Sequence, residues 1–298
     1  MMAESSHAFV RNKSGQRVML ARALSKLGLC SRGQAKLAIQ AGRVRVNGKV
    51  ITHCTHWVKL GSDTISVDGR VVRGVENYTY VMLNKPRGYI TTRRDHFHRP
   101  TVFELLASAP TGAASRPDFF TEKCRWIFPV GRLDYDSEGL LLFTNDGPLG
   151  DALINPEKHI HKLYRVLLNR LPSPEKLQQL EAGIRISNYT TLPAKVEIEE
   201  AAASDAHDEL PLSGHWVRIA IREGKNRQVR RMFAAVGCEV RRLIRIRFGP
   251  LELGDLPIGG WRELRADEVQ ALRRAVEPSC QAKASAPEID TIDKLLRI

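Results

Sequence analysis

The stretch G-R-L-D-Y-D-S-E-G-L-L-L-F-T-N-D-G, residues 131–147, decides how the centre of the chain folds. Its residues 140–144 form an apolar run of strand length, which predicts a buried β-strand. Gly139 stands directly before that run, and three carboxylates alternate with other residues ahead of it: Asp134, Asp136 and Glu138. The pattern predicts an acidic turn that leads into a buried strand.

The residues alone leave several interpretations of this acidic turn. A calcium-binding loop would need a glutamate at its twelfth position, and counting from Asp134 that position is Asn145. A D-x-D magnesium site for phosphoryl or nucleotidyl transfer is typically accompanied by a phosphate-binding loop, and G-x-x-x-x-G-K-S/T does not occur in the sequence. The magnesium site, a solvated turn between strands and a carboxylate that acts on a nucleoside all stay open at this point.

The composition narrows the class of protein. The chain has 298 residues, with 46 Lys and Arg against 33 Asp and Glu, and a formal net charge of +13. At roughly 150 residues per domain, this length suggests two domains. No apolar run approaches the roughly 18 residues of a membrane helix, and the amino terminus lacks the apolar core of a signal peptide. The five cysteines are scattered. We therefore expect a cytoplasmic protein with no disulfide framework and no membrane partner.

The positive charge is concentrated in two blocks. Residues 17–69 carry nine Lys and Arg against two acids, and residues 222–247 also carry nine against two, so each block has a net charge of +7. Residues 197–210 are acidic by contrast. Two basic blocks far apart in the sequence predict two contact surfaces for one long polyanion, and nucleic acid is the first candidate.

The amino-terminal part of the chain is predicted to begin with a tail and two helices. Residues 1–16 show no period and few apolar side chains, so we expect a flexible tail there. Apolar residues at helical spacing predict a first helix over residues 20–27. Ser31 is placed to cap a second helix, which Gly42 ends. This second helix should present one basic and polar stripe, made of Arg32, Lys36 and Gln40.

A hairpin follows the second helix. Two valines alternate with two arginines over residues 43–46, and Asn47-Gly48 is a strong signal for a two-residue turn. The helices and the hairpin would place cations outward, where they suit phosphate contact. Residues 23–50, A-L-S-K-L-G-L-C-S-R-G-Q-A-K-L-A-I-Q-A-G-R-V-R-V-N-G-K-V, resemble the RNA-binding domain first described in ribosomal small-subunit protein four. We expect RNA contacts from nine residues of this domain: Arg22, Lys26, Ser31, Arg32, Lys36, Arg43, Arg45, Asn47 and Lys49.

Residues 80–268 carry four motifs in the order found in pseudouridine synthases. They are N-K-P-R-G at 84–88, the acidic stretch at 131–147, H-K-L-Y-R-V at 161–166 and E-G-K-N-R-Q-V-R-R-M-F at 223–233. Together they resemble the ribosomal small-subunit pseudouridine synthase A family and its large-subunit relatives. The chain departs from the pattern at Ser137, where threonine is more usual, and in the acidic segment before Gly214, which we interpret as a loop insertion.

The resemblance implies an α+β fold and an isomerase. An RNA-binding domain at residues 17–77 would precede a catalytic domain at residues 78–275, in which helices flank a largely antiparallel sheet, and residues 276–298 would form a tail. The enzyme would convert a uridine of ribosomal RNA to pseudouridine as a monomer, acting on the RNA or on a pre-ribosomal particle. Because this reaction oxidises nothing and adds nothing, the resemblance implies no cofactor and no metal. The histidine groups at 53–56, 96–98 and 159–161 are interpreted as surface residues.

The resemblance also assigns the site. Asp134 would be the catalytic carboxylate, and Tyr164 would stack on the uracil and help to remove its ring proton. The apolar spacing of residues 229–236 predicts a helix that turns Arg230 inward and leaves Arg231 nearer to solvent. We expect the Arg230 guanidinium to hydrogen-bond the Asp134 carboxylate, with Tyr164 in the same pocket. Substrate binding would fall to Arg132, Lys162, Arg227, Gln228, Arg231, Asn84 and Lys85.

Two further features of the sequence bear on which ribosomal RNA is the substrate. The W-R-E-L sequence at residues 261–264 and the complete amino-terminal domain favour large-subunit rRNA, with small-subunit rRNA as the alternative. A non-catalytic RNA-binding or ribosome-assembly protein that keeps the architecture is the alternative to an enzyme.

Overall fold

The computed structural model describes four stretches of the chain, residues 17–72, 78–107, 127–199 and 213–277. They fall into two compact units. The first unit holds the described residues up to Tyr78 together with Ile127 and Asn145–Pro148, and the second unit holds the other described residues. The expected tail at residues 1–16, most of the expected acidic insertion and the carboxyl-terminal tail from residue 278 lie outside the described residues.

The described part of the first unit contains two short helices and six short strands. The helices are α1 (Leu20–Lys26) and α2 (Arg32–Gln40). The strands are β1 (Arg17–Met19), β2 (Val44–Val46), β3 (Lys49–Val50), β4 (Trp57–Lys59), β5 (Ile65–Val67) and β6 (Arg70–Val71). Strand β1 pairs with β4, and β3, β2, β5 and β6 lie in that order in a four-stranded sheet. Both predicted helices and the predicted hairpin of β2 and β3 are confirmed.

Local chemistry sets the boundaries of α2 and of the hairpin. The Ser31 hydroxyl accepts a hydrogen bond from the Gln34 backbone N–H at 3.1 Å, and the Gln34 side chain accepts one from the Ser31 N–H at 3.2 Å. This reciprocal capping box starts the helix. Asn47 and Gly48 both have positive φ angles, +49° and +80°, as a tight hairpin turn requires. The side chains turned inward form one apolar core, which includes Leu20, Leu24, Ala35, Ile39, Val44 and Val58.

The remaining described elements are five α-helices, one 3₁₀-helical turn (Pro156–Lys158) and eleven strands. The helices are α3 (Val102–Leu106), α4 (Gly147–Ile154), α5 (Pro174–Ala182), α6 (Gln228–Ala235) and α7 (Ala266–Val276). The strands are β7 (Tyr80–Lys85), β8 (Phe128–Pro129), β9 (Glu138–Thr144), β10 (Lys162–Leu168), β11 (Arg185–Ile186), β12 (Tyr189–Thr190), β13 (Lys195–Ile198), β14 (His215–Ile221), β15 (Val240–Phe248), β16 (Leu251–Glu252) and β17 (Trp261–Glu263). Every described helix is too short or too polar to span a lipid bilayer.

A large mixed sheet organises the second unit. Its strands lie in the order β13-β14-β10-β15-β9-β7-β17, with β16 beside β15 and β8 beside β9. Only β15 and β9 run parallel among these described strands, through the pairs Ile244–Glu138 and Arg245–Gly139. The predicted α+β fold with a largely antiparallel sheet is confirmed. Gly139 permits the parallel junction, since a Cβ atom there would lie 2.3 Å from the Arg245 carbonyl oxygen.

Strands β7 and β9 lie at the centre of the apolar core. Every residue of both strands is buried. One side of the sheet packs against α4 and α7 through Met82, Leu140, Leu142, Leu149, Leu153 and Leu272. On the other side, the Phe143 ring meets the Phe103 ring of α3 edge to face, with centroids 5.6 Å apart. Both faces of β9 are therefore covered, which explains why its sequence is a continuous apolar run.

Candidate active site

The acidic turn that precedes β9 is fixed by a buried lysine. Lys85 has no exposed surface, and its Nζ donates hydrogen bonds to the carbonyl oxygens of Asp134 at 3.1 Å and Ser137 at 2.7 Å. Burial lowers the pKa of Lys85 to about 8, against the opposing effect of the nearby carboxylates of Glu138, Asp136 and Asp134. Because Lys85 bonds to main-chain oxygens, it fixes the turn without occupying the carboxylates.

The segment after Lys85 supports the turn from a second direction. The Gly88 backbone N–H donates to the Tyr135 carbonyl oxygen at 2.9 Å. The Thr91 hydroxyl donates to the Leu133 carbonyl oxygen at 2.8 Å. The two motifs N-K-P-R-G and G-R-L-D, which lie far apart in the sequence, therefore form one structural unit around the candidate catalytic residue.

Asp136 holds two arginines of the last motif. Arg227 donates two hydrogen bonds to its carboxylate, at 2.9 and 2.8 Å. Arg230 donates through Nη2 to the Asp136 carbonyl oxygen at 2.8 Å, and its Nε lies 3.2 Å from Oδ2. Burial by itself would raise the pKa of Asp136, but the hydrogen bonds from Arg227 and the charges of Arg230 and Arg227 outweigh it and lower the pKa. Asp136 is therefore an anionic anchor for both guanidinium groups.

The prediction that the Arg230 guanidinium hydrogen-bonds the Asp134 carboxylate is wrong. The helix phase is correct, because the Arg230 side chain is 12% exposed and neighbours the buried Val229. Its Nη1 donates to the Val240 carbonyl oxygen at 2.9 Å, and Nη2 is taken by the Asp136 carbonyl oxygen, so its donors are directed to residue 136 and to β15. The arginine next to Asp134 is Arg227, whose Nη1 lies 3.9 Å from Asp134 Oδ2.

Asp134 itself is well placed to meet a substrate. Its side chain is 35% exposed, in a turn whose backbone is otherwise tied down. Its backbone carbonyl also accepts a hydrogen bond from the Ser137 N–H at 3.1 Å. The carboxylate is thus held in place through its main chain, with its nearest described cation at the edge of ion-pair distance.

Tyr164 lies in the strand that neighbours β15. It is 8% exposed and pairs with Arg245, the residue of β15 that abuts Gly139. Lys162 lies two residues earlier on the same strand, and its Nζ donates to the Ile160 carbonyl oxygen at 2.8 Å. Burial lowers the pKa of Lys162 to about 8, and the charge of Arg245 adds to that effect. The strand order brings Tyr164 and the start of β9 to opposite sides of a single strand.

Three residues predicted to bind substrate are instead engaged with the protein. Asn84 is buried and donates through Nδ2 to the Leu256 carbonyl oxygen at 2.7 Å. Gln228 is buried, donates to Glu223 at 2.6 Å and accepts from the Lys225 N–H at 3.0 Å. Lys85 is fully buried, as described above. Their polar atoms hold loops and a helix start together, so these contacts do not support direct substrate binding by them.

Three other residues predicted to bind substrate, Arg132, Arg227 and Arg231, are arginines. Arg132 is exposed on the approach to the acidic turn. Arg227 is 44% exposed, even though it pairs with Asp136. Arg231 donates a hydrogen bond to the Ser187 hydroxyl at the surface, in the turn between β11 and β12. These arginines remain candidates for contact with a polyanion.

The sequence analysis missed a buried ion pair beside the site. Arg242 donates to both carboxylate oxygens of Glu138 at 2.9 Å, and the two side chains are 15% and 7% exposed. Arg245, 3% exposed, donates to the Leu140 carbonyl oxygen at 2.8 Å. Both contacts tie β15 to β9 where they run parallel. No local signal could have found them, because the partners are about a hundred residues apart and meet only through the strand order.

The amino-terminal residues predicted to bind RNA divide into two groups. Ser31 caps α2, and the Asn47 side chain bridges its turn to the Thr64 N–H at 2.9 Å and to Asp63 at 3.1 Å. These two polar groups therefore have structural partners within the unit, and their contact with RNA stays a prediction. Arg43 forms an exposed ion pair with Asp68. The other predicted contacts are exposed or half-buried cations of the same unit: Arg22, Lys26, Arg32, Lys36, Arg45 and Lys49.

Within the described stretches, no group of three or more His, Cys, Asp or Glu side chains is arranged to hold a metal ion. Cys54, in the histidine-rich segment of the amino-terminal unit, directs its thiol to the Lys36 carbonyl oxygen at 3.8 Å. The absence of a cofactor or metal from the reaction stays a prediction.

Comparison with known proteins matches both units to families. The family model described as RNA pseudouridylate synthase matches residues 79–235, and the model described as S4 domain matches residues 20–53. The chain is 39% identical over 255 residues to a protein of Bacillus subtilis (strain 168) named ribosomal large subunit pseudouridine synthase B. That match covers 85% of this chain and 95% of the relative.

Two further likenesses agree with these matches. A protein of Pseudomonas aeruginosa, also named ribosomal large subunit pseudouridine synthase B, is 35% identical over 268 residues, which cover 86% of this chain and 62% of that protein. A solved structure described as pseudouridylate synthase superposes with a TM-score of 0.57 at 28% identity. It covers 86% of this chain and 99% of its own.

Proposed function

Because this chain belongs to the RNA pseudouridylate synthase family, we propose that it converts a specific uridine of large-subunit ribosomal RNA to pseudouridine, with Asp134 as its catalytic carboxylate. The observation that carries the assignment is the geometry of the acidic turn. The Asp134 side chain is part-exposed, and Lys85 fixes its backbone by a hydrogen bond to its carbonyl oxygen. Arg227 lies 3.9 Å from the Asp134 carboxylate. The names of the similar large-subunit synthases support the choice of RNA.

The chemistry needs few groups. The bond between the ribose carbon and the uracil nitrogen breaks, the uracil rotates, and a bond forms between the same ribose carbon and a ring carbon. The ring carbon then loses its proton, and the ring nitrogen released from the ribose gains one from solvent. We assign the carboxylate of Asp134 to the first stage and the ring and hydroxyl of Tyr164 to holding the uracil and to the final proton transfer. The reaction is an isomerisation, so its electrons balance with no oxidant or cofactor.

The two arginines support this chemistry in different ways. Arg230 is largely buried and bound to the backbone at residues 136 and 240, so it contributes a fixed positive charge beneath the turn. Arg227 is more exposed and lies between the two carboxylates, where it can also contact the phosphate of an incoming nucleotide. A fixed and an exposed cation beside the acidic turn suit an enzyme that extracts a nucleotide from a polyanion.

The partner and setting follow from the same proposal. The S4 domain supplies exposed cations for docking on structured rRNA, and we propose that the protein acts in the cytoplasm as a monomer on rRNA or on a pre-ribosomal particle. Arg132 would occupy the gap left by the extracted uridine, and Lys162 would steady the pocket.

The test is to locate the pseudouridines that the protein forms in transcripts of known sequence. Unmodified transcripts of 23S and 16S rRNA would be incubated with the protein, and pseudouridines would be located by chemical labelling and primer extension. We expect one new pseudouridine in the 23S transcript and none with Asp134→Asn. A product in 16S rRNA would move the target to the small subunit. Tight binding with no product in either RNA would make the chain a non-catalytic RNA-binding protein.

A further inference from the structure

An exposed aromatic ring lies in the loop that follows the N-K-P-R-G motif. Phe97 is 78% exposed, more than any other large hydrophobic side chain among the described residues. Single exposed apolar residues are common and need no explanation by themselves. Here the ring is surrounded by exposed basic and titratable side chains on the same loop, which are Arg94, His96, His98 and Arg99.

The loop is held in one conformation by Asp95. The Asp95 carboxylate accepts hydrogen bonds from the backbone N–H groups of Phe97 at 3.1 Å and Arg99 at 3.0 Å. It also accepts two from the Arg99 guanidinium, at 3.1 and 2.9 Å. His98 between them has a positive φ of +56°. These contacts fix the backbone that carries Phe97, and a loop ordered before binding loses less conformational entropy when it binds.

The base of this loop is joined to the catalytic turn. The Thr91 hydroxyl donates to the Leu133 carbonyl oxygen and accepts from the Leu133 N–H, at 2.8 and 3.3 Å. The Ile90 N–H donates to the Pro100 carbonyl oxygen at 2.9 Å and closes the loop.

Tyr135 extends the same surface. It stands between Asp134 and Asp136, and it is 49% exposed. The Phe97 ring has the Arg99 guanidinium 5.2 Å from its centroid, and Tyr135 exposes a second ring within the catalytic turn itself. This combination is how proteins bind unpaired RNA: bases stack on aromatic rings while cations contact the backbone phosphates.

We propose that Phe97 is a stacking platform for an unpaired base of the RNA, a few nucleotides from the reacting uridine, with Arg94 contacting the adjoining phosphate. The inference rests on the proposed function, since it deepens the substrate class of that site to a single-stranded segment. An exposed ring stacks on the flat face of a base and makes no hydrogen bonds to its edge. Phe97 should therefore bind unpaired RNA without selecting one sequence.

The test uses the full-length protein and the variants Phe97→Leu and Phe97→Tyr. Leucine keeps an apolar side chain and loses the ring, while tyrosine keeps the ring. Turnover would be measured on the 23S transcript, and affinity on a twelve-nucleotide oligouridylate, alone and annealed to oligoadenylate. Loss of one base stack corresponds to about a 10- to 100-fold change. We expect Phe97→Leu to raise KM and the single-strand Kd by that factor, with kcat and the duplex Kd unchanged, and Phe97→Tyr to resemble the wild type.

The controls distinguish an effect of Phe97 on RNA binding from an effect on the reaction. Ile258→Ala removes another exposed apolar side chain and should change neither constant. Unchanged KM and single-strand Kd in Phe97→Leu would overturn the inference, as would equal weakening of single strand and duplex. A change in oligomeric state with unchanged RNA affinity would assign the ring to a protein contact and also overturn it. If the wild type formed no pseudouridine while Phe97→Leu still weakened single-strand binding, the proposed reaction would fail and the platform would stand.

Discussion

Arg230 donates a hydrogen bond through Nη2 to the main-chain carbonyl of Asp136 at 2.8 Å, and its Nε lies 3.2 Å from the Asp136 carboxylate. The contact joins the last motif to the acidic turn across 94 residues. Because one of these contacts is to the main chain of Asp136, the position of the turn and the position of the guanidinium depend on each other. Asp136 thus links the two motifs, while the neighbouring Asp134 keeps its carboxylate for the substrate.

The first prediction concerns this guanidinium. Arg230→Ala removes a fixed positive charge beneath the turn, and we expect kcat to fall about 100-fold, as when one electrostatic donor is removed from an active site. Arg231→Ala is the matched control one residue along the helix, where the side chain bonds to Ser187 on the surface. It should leave kcat unchanged and weaken RNA binding. Steady-state kinetics and filter binding on the 23S transcript measure both.

The opposite result for the two variants would change the role assigned to Arg230. If Arg231→Ala reduced kcat while Arg230→Ala did not, the buried guanidinium would have only a structural role. A melting temperature for each variant shows whether a loss of turnover comes from a loss of fold.

The second prediction compares the two aspartates of the turn. Asp134→Asn should abolish product with folding and RNA binding nearly intact, because the carboxylate is the reacting group. Asp136→Asn should retain most product formation, because the main-chain carbonyl that holds Arg230 remains and the asparagine Oδ1 can still accept from Arg227. Excess chelator should not reduce the activity of the wild type while the RNA stays folded. Equal loss in both variants together with chelator sensitivity would instead indicate a shared metal site.

Local patterns in the sequence predicted the elements and the phase of their faces. The spacing of the apolar residues in α6 correctly turned Arg230 inward, and Asn47-Gly48 correctly marked the turn of a hairpin. Each of these predictions depends on neighbours within a few positions of the chain. The acceptor of Arg230 was predicted wrongly because it depends on where a turn 94 residues away lies, and periodicity contains no information on that distance.

The polar residues of the motifs show a second limit. Asn84 and Gln228 were predicted to touch substrate because they belong to motifs that carry the resemblance. In the structure both are buried, and their amides satisfy backbone or side-chain groups of neighbouring loops. Buried donors and acceptors that remain without partners are costly, so a polar residue inside a motif often holds the site instead of acting in it.

The third prediction concerns the basic stripe on α2. Arg32 and Lys36 are exposed one turn apart, so each can neutralise one phosphate of the RNA. Replacing both by alanine should weaken binding and reduce the slope of log K against log salt by about 0.7–0.9 for each phosphate that the variant no longer neutralises. Gln40→Ala on the same face carries no charge and should leave the slope unchanged. Titrations at four salt concentrations decide it, and an unchanged slope in the double variant would show that the RNA docks elsewhere.

The fourth prediction uses Lys85, the buried amine under the acidic turn. Its pKa is about 8 in the folded protein, below the roughly 10.4 of an exposed lysine. Between these two values the unfolded chain binds the proton and the folded chain does not, so the free energy of unfolding rises with pH. Lys85 should contribute up to about 3 kcal/mol to that rise, fully present above pH ~10.4 and lost as the pH falls to about 8.

Lys85→Met removes this titration along with the hydrogen bonds that hold the turn. Urea unfolding at pH 8, 9 and 10 should therefore show a smaller rise in the unfolding free energy for Lys85→Met than for the wild type. The exposed control Lys176→Met should follow the wild type. At pH 8 the variant that still folds should also form product more slowly at saturating RNA, because the carbonyl oxygens of Asp134 and Ser137 lose their donor. Parallel stability curves for wild type and Lys85→Met would mean that the amine titrates as an ordinary lysine, and full turnover would mean that the turn keeps its geometry without it.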